Sequence, residues 1–248
     1  MPQRDPVWDT ARTYEPDRYL SALYAAEPAR GRLMALAAFS GEIARIPITV
    51  HEPLLAEIRL QWWRDALAAL AKGERTGHPA ADHLGPDIAA GLLPAGLLSG
   101  MIDAAGEHGW SSELADPQVL RSHLNKSHGA AFALAARALG ARHSEPLETA
   151  VTRAGFAYGL ARLIASGAFR EPAHRDQLIG QCRHAIPEAS GAVARLDSAL
   201  LPGFLPLAMA NAYLDRAAGA SATSLALAVG PLQRWWRLWR AQLRDRIG

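Results

Sequence analysis

The sequence predicts an all-α fold, a single-domain bundle of about ten helices, and three observations predict it. Alanine and leucine dominate while β-branched residues are sparse, so nothing reads as a period-2 strand of useful length. Apolar residues instead recur at three- and four-residue spacing, the interval that keeps side chains on one face of an α-helix. Proline and glycine fall between these runs rather than inside most of them, where they start and stop helices.

Taken in order, the predicted helical blocks are Asp17–Ala29, Arg32–Ile46, Pro53–Lys72, Pro79–Ala90, Pro94–His108, Pro117–Leu139, Glu145–Ala168, Pro172–His184, Ala189–Leu200, Gly203–Ala217 and Ser221–Ile247. Several open on Asp-Pro, Glu-Pro or Leu-Pro, as expected of a first-turn proline whose missing N–H costs nothing there. Residues 1–16 read as a flexible N-terminal tail, and 221–248 as a basic, tryptophan-rich C-terminal helix. Gly73–Gly85 is the most plausible exposed loop. Pro47 should kink or stop its helix near Arg45, because it lacks an N–H and clashes with the preceding turn. No internal repeat and no shift in composition divides the 248 residues into separate domains.

Composition narrows the function classes. Half the residues are hydrophobic, against a disordered or coiled-coil chain, and the net charge is +2, which gives no broad electrostatic case for nucleic acid. The pI near 8.9 reflects the excess of arginine over lysine. One cysteine, Cys182, permits neither an internal disulfide nor a zinc cluster and suits a reducing compartment. The N-terminal residues carry charges and prolines where a signal peptide needs an apolar core, and no run is long enough for a spanning helix. A cytoplasmic protein, at most peripheral on a membrane, is the expectation.

Few constellations carry chemistry. Acids one turn apart can hold a divalent cation. Asp5/Asp9 falls in the proline-containing tail, and Asp103/Glu107 reads as a solvated helix end. His123 and His128 are five residues apart, which on an α-helix puts them on different faces and disfavours joint ligation. His78, His83 and His108 sit in or near loops with no acid or cysteine partner, and Cys182 reads as a buried inert thiol. No metal site is expected. The tryptophans say more. In EIRLQWWRD, Trp62 and Trp63 point to distinct faces, with Arg59 and Arg64 free to pair with Glu57, Asp65 or a neighbouring helix, or to pack on the indoles. In QRWWRLWR, Trp235, Trp236 and Trp239 alternate with Arg234, Arg237 and Arg240. That helix either meets a membrane surface or partner, or wraps over the bundle with snorkelling arginines.

The order of four blocks, DRYLSALYAAEPARGRLMALAAF, EPLLAEIRLQWWRDAL, GFAYGLARLI and LLPGFLPLAMANAYL, resembles the squalene/phytoene synthase family over Asp17 to Leu214. The resemblance implies the isoprenoid synthase fold, with Arg59, Trp62, Trp63 and Asp65 as structural signature. It also implies a reaction in which two aspartate-rich motifs hold magnesium against a diphosphate leaving group. Here FSGEIARIPI puts Ala44 and Ile48 where the first acids belong, with Glu42 and Arg45 beside them. GFAYGLARLIASGAFR puts Ser166 and Arg170 at the second pair, with Arg162 on that wall, and no acid occurs from Gly155 to Phe169.

The acid-poor first motif, the IRLQWW block and the basic C-terminus look like the bacterial relatives of the mitochondrial complex I assembly factor of the phytoene-synthase type. That likeness implies a non-catalytic protein without cofactor, aiding assembly of respiratory complex I through a subunit met at the inner membrane. Two alternatives stay open: an active magnesium-dependent prenyltransferase joining two prenyl diphosphates, and an isoprenoid- or lipid-binding protein.

Overall fold

The computed structural model describes residues 5–50, 52–107, 116–169, 171–219, 229–244 and 247. Among them the chain forms α1 (Pro6–Tyr14), α2 (Pro16–Ala22), α3 (Ala29–Thr49), α4 (Pro53–Ala71), α5 (Pro79–Ala89), α6 (Ala95–Gly106), α7 (Pro117–Leu124), α8 (Ala130–Ala138), α9 (Glu145–Ala165), α10 (Pro172–Val193), α11 (Leu201–Phe204), α12 (Ala210–Gly219) and α13 (Pro231–Leu243). A π-helical turn, Asn125–Gly129, joins α7 to α8, and a 3₁₀ turn, Leu205–Met209, joins α11 to α12. The fold is all-α, as the spacing of apolar residues predicts. Proline opens most helices, Asp5 caps α1 by accepting from the Val7 N–H at 2.9 Å, and Asp116 caps α7 by accepting from the Gln118 N–H at 2.7 Å.

Several expectations need correction. Residues 6–14 are no tail: α1 buries Val7 and Ala11 and packs along α3. The Asp17–Ala29 block ends at Ala22. Helix α3 runs through Pro47 to Thr49, because the proline stands in the last turn, where one lost bond is affordable. There the Val50 N–H reaches the Ile46 carbonyl at 3.0 Å and the Thr49 hydroxyl reaches that of Arg45 at 2.9 Å. Pro187 likewise lies inside α10, so the expected break after His184 does not occur. The exposed loop shortens to the residues before Pro79, and α5 buries Ala80, Ala81, Leu84 and Gly85. Of the expected C-terminal helix, 221–228, 245, 246 and 248 lie outside the described residues, and α13 covers Pro231–Leu243.

Burial divides into two apolar clusters that meet at α8. Ala131, Leu134, Ala135 and Ala138 face a cluster built on α1–α6. Phe132 and Ala136 face one built on α7 and α9–α13. Close approach of the second cluster's elements depends on glycine. A Cβ on Gly155 of α9 would stand 2.5 Å from the Gly129 Cα, and one on Gly159 would stand 2.5 Å from the His128 ring. The GFAYG segment therefore lays a bare helix face against the π turn. That contact sets the wall of the cavity described next.

Candidate functional site

Between the two clusters lies a cavity of about 180 Å³. Helix α3 offers Ser40, Ile43, Ala44 and Ile48, which share one face by three- and four-residue spacing. Helix α9 offers Arg162, Leu163 and Ser166 from the other side, and α6 closes the wall with Met101, Ala104 and Ala105. Ile48 lines the cavity yet is 67% exposed, so the cavity opens to solvent there. Ala44, Ile48, Arg162 and Ser166 thus come together, while Glu42 and Arg45 do not join them. These two point off the α3 face toward α1, where Arg45 pairs with Glu42 at 3.0 Å and donates to the Tyr14 hydroxyl at 2.9 Å. Arg170 lies outside the described residues.

Sequence spacing misjudged the histidines. His123 and His128 both line the cavity, because the intervening chain winds as a π turn. Its i→i+5 bonding stacks residues five apart where an α-helix would separate them. His123 is buried, with Nδ1 3.6 Å from Glu107, and His128 meets Tyr158 edge-on at 5.5 Å. Glu107 also accepts from Lys126 at 2.9 Å, and Asp103 pairs with Arg64 at 3.2 Å, so that acid pair is neutralised by bases.

Beneath the cavity sits a buried polar cluster in which only Arg162 and Arg234 were sequence-based candidates. Glu15 and Asp17, from the turn into α2, are each 2% exposed. Both Glu15 oxygens accept from Arg162 Nη1 at 2.8 Å. Asp17 accepts from the hydroxyls of Tyr158 at 2.9 Å and Tyr213 at 2.6 Å, and from Arg234 Nε. Arg18 packs its guanidinium over Phe132 and Tyr158, with centroid distances of 5.0 and 5.6 Å. Its Nε lies 3.5 Å from Glu15, while Nη2 has no hydrogen-bond partner among the described residues. Arg18 also lines a separate pocket of about 20 Å³, the room of about one water molecule. Burial pushes the Tyr158 and Tyr213 phenols well up, and the neighbouring Asp17 charge pushes them further. Burial alone would disfavour the charge on Arg162, but Glu15 and the phenols outweigh it and hold this guanidinium ionised.

Magnesium, which the family resemblance implies, does not fit this donor set. The ion wants carboxylate oxygens and retained waters. Among the described lining residues Glu15 is the one acid, and Arg162 occupies both its oxygens. Among the described residues no group of three or more His, Cys, Asp or Glu side chains could hold a metal.

The signature block behaves as frame. Trp63 is buried edge-on against Phe39 at 5.2 Å and His78 at 5.0 Å, while Trp62 is 41% exposed. Arg64 pairs with Glu57 at 2.7 Å and Asp103, Gln61 donates to exposed Asp65 at 2.8 Å, and Arg59 faces solvent. The described cation–π contacts fall on Tyr and Phe rings, not on these indoles. In the C-terminal block Arg234 is not a surface residue: it turns inward to Asp17. Trp235, Trp236, Arg237, Trp239 and Arg240 stay at or near the surface.

An all-α bundle with a cavity between facing helices, floored by arginine and tyrosine, defines a class of helical pocket proteins. Residues 11–168 match the family model of squalene/phytoene synthase, and the chain belongs to that family. The match spans the α1–α9 region, and the LLPGFLPLAMANAYL block lies beyond it. A comparison with curated proteins gives no match.

Proposed function

We propose that this family member is non-catalytic and acts by binding, in the assembly of respiratory complex I at the inner membrane. One observation carries the first half: the cavity walls present Ala44, Ile48 and Ser166, and their single described carboxylate is held by Arg162. Size argues the same way. About 180 Å³ is below the roughly 300–1,000 Å³ of ordinary ligand sites, and head-to-head condensation must seat two prenyl chains. Incubation with magnesium and farnesyl or geranylgeranyl diphosphate tests it. No diphosphate release is expected, whereas a C30 or C40 product overturns the reading and restores the prenyltransferase.

The assembly role and its respiratory-subunit partner rest on the resemblance of the IRLQWW and C-terminal blocks. Deleting the gene should lower membrane NADH:quinone activity and the amount of intact complex I, and an unchanged complex sinks this part.

A second reading, an isoprenoid- or lipid-binding protein, is favoured by the cavity mouth. Helix α3 ends one residue past exposed Ile48, and α4, which opens at Pro53, presents Leu54, Ile58 and Trp62 at four-residue spacing, with Leu55 adjacent, all more than 40% exposed. An apolar ligand could use such a stripe together with the apolar cavity wall at Ile43, Ala44 and Ile48. Native mass spectrometry of the purified protein should then show a co-purifying lipid, which Ala44→Trp should exclude.

A further inference from the structure

Helix α13 has two apolar faces, and the protein covers one of them. Arg234, Leu238 and Ala241, at i, i+4 and i+7, form the inward seam. On the opposite side Leu232 is 84% exposed, Leu243 64%, and Trp235 and Trp236 48% each. Trp239 joins these two indoles into a raft, stacked on Trp235 at 5.7 Å and tilted against Trp236 at 5.0 Å. A contiguous apolar stripe rimmed by charged residues is the mark of an interaction site.

An arginine column borders the stripe. Arg237, Arg240 and Arg244, at i, i+3 and i+7, line a groove of about 410 Å³ with Trp236, Asn211 and Ser190. Arg237 is 3.6 Å from Asp215, while Arg240 and Arg244 have no acid within ion-pair distance among the described residues. The Ser190 hydroxyl in the same groove is buried without a hydrogen-bond partner among the described residues. Cationic donors, a buried hydroxyl and a side-chain amide suit a phosphate. Leu and Trp side chains next to that column are the composition of a helix lying in a bilayer interface.

We propose that α13 seats this protein on an anionic phospholipid surface. The indole raft and its leucines enter the acyl boundary while the groove takes a headgroup phosphate. This deepens the membrane attachment within the reading above by naming the lipid class, and it uses none of the cavity residues. Its failure therefore leaves the prenyl diphosphate assay to judge the cavity alone. No helix among the described residues is long and apolar enough to cross a membrane, so attachment would be from one side.

Co-sedimentation of the full chain with vesicles tests it, comparing phosphatidylcholine alone with phosphatidylcholine plus phosphatidylglycerol. Binding should favour the anionic vesicles on the order of 100-fold, since each basic side chain near such a surface contributes about fivefold. It should also weaken at high salt. Arg240→Gln with Arg244→Gln should lose roughly 25-fold of this preference, and Trp235→Ala with Trp236→Ala should weaken binding to both vesicle types. These four side chains are exposed or at the groove edge, and an unchanged thermal melt certifies each variant's fold. Equal binding to both vesicle types, or sedimentation with neither, overturns the proposal. So does inorganic phosphate displacing no protein yet protecting α13 from proteolysis without lipid, which would make free phosphate the occupant. A dimer that hides the indoles at working concentration also overturns it.

Discussion

Replacing Asp17 by alanine should cost more than any other single change in the polar cluster. The carboxylate is 2% exposed and accepts from Tyr158, Tyr213 and Arg234. Removing it strands the Arg234 guanidinium, whose side chain is 13% exposed. Breaking a buried ion pair from one side costs about 3–5 kcal/mol, and each of two unmade phenol bonds adds about 1 kcal/mol before relaxation. Relaxation around the vacated site offsets part of this sum, leaving a net loss of about 4 kcal/mol, a large part of the ~5–15 kcal/mol of an ordinary domain. With a urea m-value of about 3 kcal/mol/M, the midpoint should fall by about 1.3 M at unchanged slope. Far-UV circular dichroism reads this directly. Asp17→Asn keeps the shape and loses the charge, so it should fall roughly half as far. Tyr213→Phe removes one donor and should cost about 1 kcal/mol, which keeps the test alive if the alanine variant does not fold. A shift for Asp17→Ala below about 0.3 M would refute the reasoning, because the cluster would then contribute no net pairing.

Other expectations follow from packing and titration. Gly155→Ala sets a Cβ 2.5 Å from backbone that cannot yield, while Gly180→Ala in α10 meets nothing within 4 Å. Calorimetry should show the first losing about 2–3 kcal/mol and the second gaining up to about 1 kcal/mol. Equal melting points for the two variants would contradict the packing at the π turn. Tyr158 and Tyr213 are both pushed above the ordinary phenol value of 10.0 by burial and then by Asp17. The unfolded chain therefore ionises first, and their contribution is whole below about pH 10 and declines above it. The slope should reach about 1.4 kcal/mol per pH unit per phenol, and Tyr213→Phe should halve it. Burial also pushes the Cys182 thiol up to about 12. Ellman's reagent at pH 8 should label no thiol in the native protein and label Cys182 in urea, and native labelling would show an open core.

The fold class was legible because proline sits where helices start and apolar spacing says which face turns inward. Trp63 against Trp62 shows the limit of that reading, since adjacency predicts distinct faces but not which one is covered. The walls of the cavity were legible only through a resemblance that aligned Ala44, Ile48, Arg162 and Ser166. The polar floor was not. Asp17 meets Tyr158, Tyr213 and Arg234 across 141, 196 and 217 residues, and no local pattern encodes such pairs. An available signal was an Asp-Arg pair opening an apolar run in EPDRYL, where the helix start alone explains the aspartate but not its arginine. His123 and His128 failed for a different reason. NKSHG winds as a π turn because Gly129 and Gly155 let two backbones touch, a tertiary cause acting on local geometry.

The floor cluster has a consequence that stability does not supply. Burying two carboxylates with three guanidiniums carries a desolvation cost that apolar side chains of equal volume avoid, often with no loss of stability. What such side chains lack is direction. Asp17 accepts from α9, α12 and α13 at once, and Glu15 holds Arg162 on the same α9 face that walls the cavity. Helix α13 cannot roll about its axis without drawing Arg234 off Asp17, and Leu238 and Ala241 alone would tolerate such a roll. The ion pair therefore fixes which face of α13 is covered, and by subtraction fixes Trp235, Trp236 and Trp239 outward. Two neighbouring buried carboxylates thus set both the cavity floor, through Glu15 on Arg162, and the outward indole raft, through Asp17 on Arg234.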